Sequence, residues 1–246
     1  MSWEPLRGET VVGDVRVLRG ALDRDVYAYL PPSHALGDTR FPVLYLHDGQ
    51  NLFDDALAPN GEWQVDETME ELAREGIEAI VVGIPNAGGR RAEEYVGDAR
   101  DEYLELVLDV KRTVDATLAT RADRGHTFVG GSSFGAMVSL AALLRHGDVF
   151  GGAALLSPAF WWDATVYDEV RDAPFVPARL WMDVGDSEGD PPEASRYVEG
   201  YQRMLDVLRS KGYDVRGYVD RGGVHHETAW ARRFPEVVRF LLAVAG

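Results

Sequence analysis

Apolar residues change their period along the chain, and those changes mark out its elements. From 10 to 19 valines alternate with polar residues (Val11, Val15, Val17), and 24–30 contains Val26-Tyr27-Ala28-Tyr29-Leu30. A period of two predicts strands, and the Leu22-Asp23-Arg24-Asp25 link predicts that they form an antiparallel hairpin. Residues 41–46 and 77–84 are instead continuously apolar, the pattern of strands covered on both faces. Between them, 64–75 takes helical spacing, with Val65, Met69 and Leu72 on one side, acids in the first turn and Gly76 after it. A longer amphipathic helix is expected at 101–120, where Leu104, Val107, Leu108, Val114 and Leu118 trace the inner side.

The same alternation continues. It predicts strands at 127–130, 153–156, 179–184 and 214–219, and helices at 137–144, 193–210 and 234–244. Strands alternating with helices imply an α/β protein: a mostly parallel sheet of about eight strands with helices on both faces. No repeat or linker divides the chain, so residues 1–246 are expected to form a single domain. Two loops fall outside the pattern. Residues 86–100 contain glycine and arginine, and 157–177 is rich in Trp, Phe and Pro. Both follow parallel strands, on the side where open α/β sheets bind ligands.

Composition narrows the function. The formal net charge of −16 argues against nucleic acid or an anionic membrane as partner and leaves a small molecule. No apolar run reaches membrane-spanning length, and Met1-Ser2-Trp3-Glu4-Pro5 lacks the features of a signal peptide, so a cytoplasmic location is expected. The absence of cysteine removes disulfides, thiolate metal sites and cysteine nucleophiles. His47, Asp48 and Asp54 show no established metal-ligand spacing, so no metal is expected. Composition leaves the oligomeric state open.

The strongest local signal is Gly131-x-Ser133-x-Gly135, directly after an apolar strand run and directly before a helix-forming one. In that context G-x-S-x-G forms a nucleophile elbow, with the serine on a sharp turn and glycines where a Cβ would collide. The turn places the Ser133 hydroxyl at a helix start, where the Phe134 N–H can face an oxyanion. A serine needs a base, and chain order in such hydrolases runs serine, acid, histidine. Only His225 and His226 follow in that order. Gly222 and Gly223 before them would let the loop fold over the elbow, which favours His225. The acid falls in Asp183-Val184-Gly185-Asp186-Ser187-Glu188-Gly189-Asp190, where spacing leaves both Asp186 and Glu188 open. Gly49 and Gln50, after the 41–46 strand, are candidates for a second backbone oxyanion donor.

Taken together, Leu46-His47-Asp48-Gly49-Gln50-Asn51-Leu52-Phe53-Asp54, Arg91-Ala92-Glu93-Glu94-Tyr95, Gly130-Gly131-Ser132-Ser133-Phe134-Gly135, Asp183-Val184-Gly185-x-x-Glu188 and His225-x-Glu227-x-x-Trp230 resemble the putative-esterase family. Its members include enterochelin, feruloyl and acetylxylan esterases, S-formylglutathione hydrolase and mycolyltransferases. The resemblance runs from about Phe41 to Trp230. It implies an α/β-hydrolase fold and a Ser–His–acid triad without a cofactor, and it selects Glu188 and His225. Phe134 stands where the family usually has methionine or leucine, which would narrow the acyl pocket.

The function expected is therefore hydrolysis of a carboxylic ester through an acyl-enzyme, on acetyl, aryl or feruloyl-type esters. A siderophore trilactone esterase and an acyltransferase would use the same residues, and a non-catalytic binding protein is the remaining alternative. Phe160, Trp161 and Trp162 are candidate walls of a substrate pocket, or core beneath a loop. Arg91, with Arg90, is a candidate contact for an anionic substrate.

Overall fold

The N-terminal alternation folds into an antiparallel ladder of β1 (Glu4–Pro5), β2 (Asp14–Leu22) and β3 (Arg24–Leu30). The computed structural model describes residues 2–37, 39–190 and 193–243. β2 begins at Asp14 rather than at residue 10, because the backbone before it is held by acids from elsewhere: Glu9 N–H donates to Asp54 and Val12 N–H to Asp66.

β4 (Val43–His47) is followed by α1 (Val65–Arg74) and then β5 (Ile80–Ile84). α2 (Arg91–Val96) and α3 (Arg100–Thr117) lead to β6 (Thr127–Ser132), and α4 (Phe134–Arg145) to β7 (Gly152–Leu156). After α5 (Val166–Asp172) come β8 (Arg179–Gly185), α6 (Glu193–Ser210), β9 (Val215–Arg216), β10 (Val219–Asp220) and α7 (Glu227–Leu242).

Among the described residues the sheet has ten strands in the order β1-β2-β3-β5-β4-β6-β7-β8-β10, with β9 also on β8. From β5 to β10 all pairings are parallel, and only the β1-β2-β3-β5 end is antiparallel. Strand residues alternate between two cores. Val43 and Tyr45 join the layer under α3, α4 and α6, whereas Leu44 and Leu46 join the layer under α1 and α7. A strand sandwiched this way must be apolar at every position, which is why β4 and β5 read as unbroken runs.

Four expectations need correction. Residues 86–100 are largely helical, forming α2 and the start of α3. The 157–177 segment contains α5. The last strand is two short pieces: β9 pairs with Leu180 and Trp181, β10 with Val184 and Gly185, and the chain turns at Gly217 (φ 135°) between them. α7 starts at Glu227, seven residues before the expected 234, because buried Trp230 and Arg233 continue its inner face through a stretch whose polar residues hide the period. The expected end of that helix at Val244 falls outside the described residues. Among the described residues no helix is long and apolar enough to cross a membrane.

Candidate active site

β6 delivers the chain to Ser133, whose φ of 57° and ψ of −122° lie in a region that a side chain enters only at a cost. α4 begins at the next residue. A Cβ at position 131 would stand 3.0 Å from the carbonyl carbon of Gly135, and one at 135 would stand 3.4 Å from both Asp48 Oδ2 and the His47 Cβ. A sharp strand–turn–helix crossing therefore stands at Ser133, with both flanking glycines closely approached by backbone or side chain. Ser133 N–H donates to the Leu156 carbonyl (3.0 Å). The Phe134 N–H, first in α4, has no acceptor within the helix.

His225 lies on the loop between β10 and α7, and its Nδ1 is 2.9 Å from Glu188 Oε2. Glu188 is fully buried. Its Oε1 accepts from the Gly185 N–H (2.5 Å) and from the Ser157 hydroxyl. Ser157 Oγ accepts in turn from Trp230 Nε1 and Arg233 Nη2, each at 2.8 Å. Arg233, only 1 % exposed, lies 3.3 Å from Asp183, 3.7 Å from Asp220 and 3.9 Å from Glu188. Burial pushes the Asp183 carboxyl up to about 6, with Arg233 opposing that rise.

Spacing left Asp186 and Glu188 open, and the geometry separates them. Asp186 is exposed and accepts from the Gly222 N–H (2.7 Å), so it pins the loop rather than the imidazole. That loop lies directly on β8: a Cβ on Gly185 would stand 2.1 Å from the Gly223 carbonyl oxygen. His226 is exposed and caps α7, its Nδ1 accepting from the Thr228 N–H (3.2 Å).

Across the cavity Asp48 adopts a left-handed conformation (φ 56°, ψ 42°) that throws Gly49–Asn51 into a tight turn. Its carboxylate receives both Arg91 Nε and Nη2 at 2.7 Å, Asn86 Nδ2 at 2.6 Å and the Tyr95 hydroxyl at 3.3 Å. Asp48 N–H donates back to the Tyr95 oxygen (3.1 Å). Beneath it, burial lowers the His47 imidazole to about 4, and its Nδ1 is 2.7 Å from the Tyr103 hydroxyl. A neutral ring is what this dry position accommodates.

An open cavity of about 930 Å³ brings Ser133, His225, Gln50 and Arg91 together, with Glu188 behind His225. Gly49 does not line it. Nor do Phe160, Trp161 and Trp162. Phe160 and Trp161 border a separate hollow of about 200 Å³, and Phe160 is fully buried. Trp162 is exposed and meets Phe134 edge-on, 5.2 Å between ring centres. Arg91 faces the cavity but is already paired, so it is not a free cation awaiting an anion.

Among the described residues Ser133 makes no side-chain hydrogen bond, and His225 Nε2 lies 3.5 Å from the Tyr197 hydroxyl. Tyr197 and Arg233 are neighbours outside the quoted motifs, and Asn51 and Glu227 stand within them without an assigned role. Asn51 Nδ2 meets Glu227 Oε1 at 3.3 Å on the cavity wall, and burial raises the Glu227 carboxyl. Glu227 sits inside the His225-x-Glu227-x-x-Trp230 spacing, and Arg233 follows Trp230 by three, on the same helix face. Those spacings were the available signals.

A family model described as putative esterase matches residues 21–241. The chain belongs to that family. As an esterase-family protein it is a carboxylic ester hydrolase on an α/β-hydrolase-like sheet. Among relatives, YbbA of Bacillus subtilis (strain 168), an uncharacterized protein, is 21 % identical over 234 residues, covering 87 % of this chain and 90 % of that one. An endo-1,4-beta-xylanase/feruloyl esterase of Xylanibacter ruminicola is 25 % identical over 213 residues, which is 82 % of this chain and 26 % of that longer protein. The enterobactin esterase of Shigella flexneri, solved in the presence of enterobactin, superposes with a TM-score of 0.75 at 18 % identity, over 96 % of this chain and 60 % of that one.

Proposed function

We propose that this esterase works through Ser133 as nucleophile, His225 as base and Glu188 as the acid that orients it, by way of an acyl-enzyme. The observation that carries this reading is the buried Glu188 carboxylate 2.9 Å from Nδ1 of a histidine that shares its cavity with the elbow serine. With Nδ1 held as the donor to Glu188, Nε2 is left unprotonated to receive the Ser133 proton. For that transfer the ring turns its Nε2 from the Tyr197 hydroxyl (3.5 Å) towards Ser133, a reorientation of the kind that substrate binding completes. The Ser133 oxygen adds to the ester carbonyl. The N–H groups of Phe134 and Gln50 hold the oxyanion, and the alcohol leaves with the proton from His225. Water then attacks the acyl-enzyme through the same histidine, and the acid departs. No cofactor takes part.

Substrate class follows from the charge of the cavity. Asp48 and Glu227 both line it against one paired guanidinium, so it repels a polyanion such as a catecholate trilactone and suits a neutral ester. Acetyl, aryl and feruloyl-type esters fit that description. Ser133→Ala should reduce p-nitrophenyl acetate turnover by roughly 10⁶-fold while the protein stays folded. Retained turnover would refute the assignment. An ester panel varied in acyl group, with a trilactone included, tests the substrate class.

A further inference from the structure

The strongest unexplained chemistry lies outside the catalytic cavity, at the start of α1. Glu62, Asp66 and Glu67 offer carboxylate oxygens that all lie within 4.8 Å of one another. Asp66 is fully buried and Glu62 is 8 % exposed. Each of the three carries a buried oxygen that finds no hydrogen-bond partner: Glu62 Oε1, Asp66 Oδ1 and Glu67 Oε2. Val12 N–H donates to Asp66 Oδ2 at 2.7 Å, the Thr10 hydroxyl reaches Glu62, and the Asp66 and Glu67 carboxyls stand within hydrogen-bonding reach of each other. Among those residues no lysine or arginine pairs with any of the three.

Acids in the first turn of a helix are ordinary on a surface, where water solvates them. Buried together they repel, and a lone desolvated carboxylate costs several kcal/mol unless something positive meets it. A single shared proton could join two of these oxygens, but three converge. We infer that Glu62, Asp66 and Glu67 form a binding site for a hard divalent cation, with calcium as the best fit. Calcium takes six to eight oxygen ligands at roughly 2.3–2.6 Å in flexible geometry, which suits three carboxylates from a loop and one helix turn, whereas magnesium demands a near-ideal octahedron and is reluctant to shed its waters. Glu62 also lines a hollow with Thr10, Asp55 and Gln64, which gives the ion a route from solvent and room for the waters that complete its shell.

The position gives the ion a purpose. Val12 belongs to the N-terminal segment and Asp66 and Glu67 to α1, while Glu62 ends the loop whose Leu57, Pro59 and Asn60 line the esterase cavity. One cation would tie these three segments together and fix that wall.

The test is thermal unfolding of the full chain after EDTA treatment, with calcium, with magnesium, and with sodium chloride at matched ionic strength. Calcium near a hundred times its dissociation constant should raise Tm by about 5–10 °C. Titration calorimetry should find one calcium per chain. Asp66→Asn should abolish both effects, and Glu67→Gln, at a less buried position, should weaken them and covers the case in which the first variant does not fold. Ser133→Ala should bind calcium like the native chain, which keeps this result independent of the catalytic reading. A Tm unmoved by calcium, an equal rise with sodium chloride, or an undiminished calcium response in Glu67→Gln would each overturn the inference.

Discussion

On the β8–α7 side of the cavity the carboxylate of Glu188 is sealed beneath a helix and held by Ser157, the Gly185 N–H and a wholly buried Arg233. On the β4–β5 side Asp48 looks into the cavity, and its partner Arg91 keeps 28 % of its side chain in contact with solvent. Both are acid–guanidinium arrangements, yet removing the cation should have different consequences. Where water cannot reach, a deserted charge is paid for in stability; where water can reach, the geometry of the turn is what suffers.

The largest effect expected on this comparison is Glu188→Gln, which keeps the shape but spoils the tautomer of His225. Turnover should fall about 10⁴-fold, with Asp186→Asn close to the native rate as the control, both read as kcat on p-nitrophenyl acetate. Arg233→Met should come next. It leaves Asp183 and Glu188 buried without their cation and should cost about 3–5 kcal/mol in denaturant unfolding. Equal stability would mean that the buried acids of this wall do not depend on Arg233.

The third prediction concerns His47, whose ring is held near 4 in the fold against an ordinary 6.5. The unfolded chain takes up a proton that the folded chain refuses, so its contribution is complete above about 6.5 and lost as pH falls through 4. The loss amounts to about 3 kcal/mol. Asp183 leans the opposite way over much of the same range, so the readout is the difference in Tm between native protein and His47→Gln from pH 7 to 4. A constant difference across that range would contradict the assignment. The smallest effect is Arg91→Ala. Stability should change little, while kcat falls about 100-fold with KM nearly constant, because the turn carrying the Gln50 N–H loses its anchor. If KM rises and kcat holds, Arg91 touches substrate after all.

What could be read in advance follows the same division. The unbroken runs of β4 and β5 report burial on two faces, and Gly131-x-Ser133-x-Gly135 reports a crossing too tight for a side chain. Both are local demands, written where they act. The pairing of Arg91 with Asp48 spans 43 positions, and nothing near Arg91 in the chain shows that its charge is already committed. A loop arginine therefore looks available. Likewise Phe160 and Trp161 look like a wall of the Ser133 cavity until the fold sets them on a separate hollow beside α6, with Trp161 packed on Tyr197. The first half of α7 is hard to read because two of its buried positions, Glu227 and Arg233, are charged, and an apolar period cannot register them.

That half-helix has one more implication. α7 is the final helix described, and it supplies Trp230 and Arg233 to the support of Glu188 and begins two residues beyond the imidazole. During folding every strand of the sheet can be in place while the support of Glu188 is still missing. Hydrolytic competence should therefore arrive abruptly, once α7 packs against β8, rather than grow with the fold.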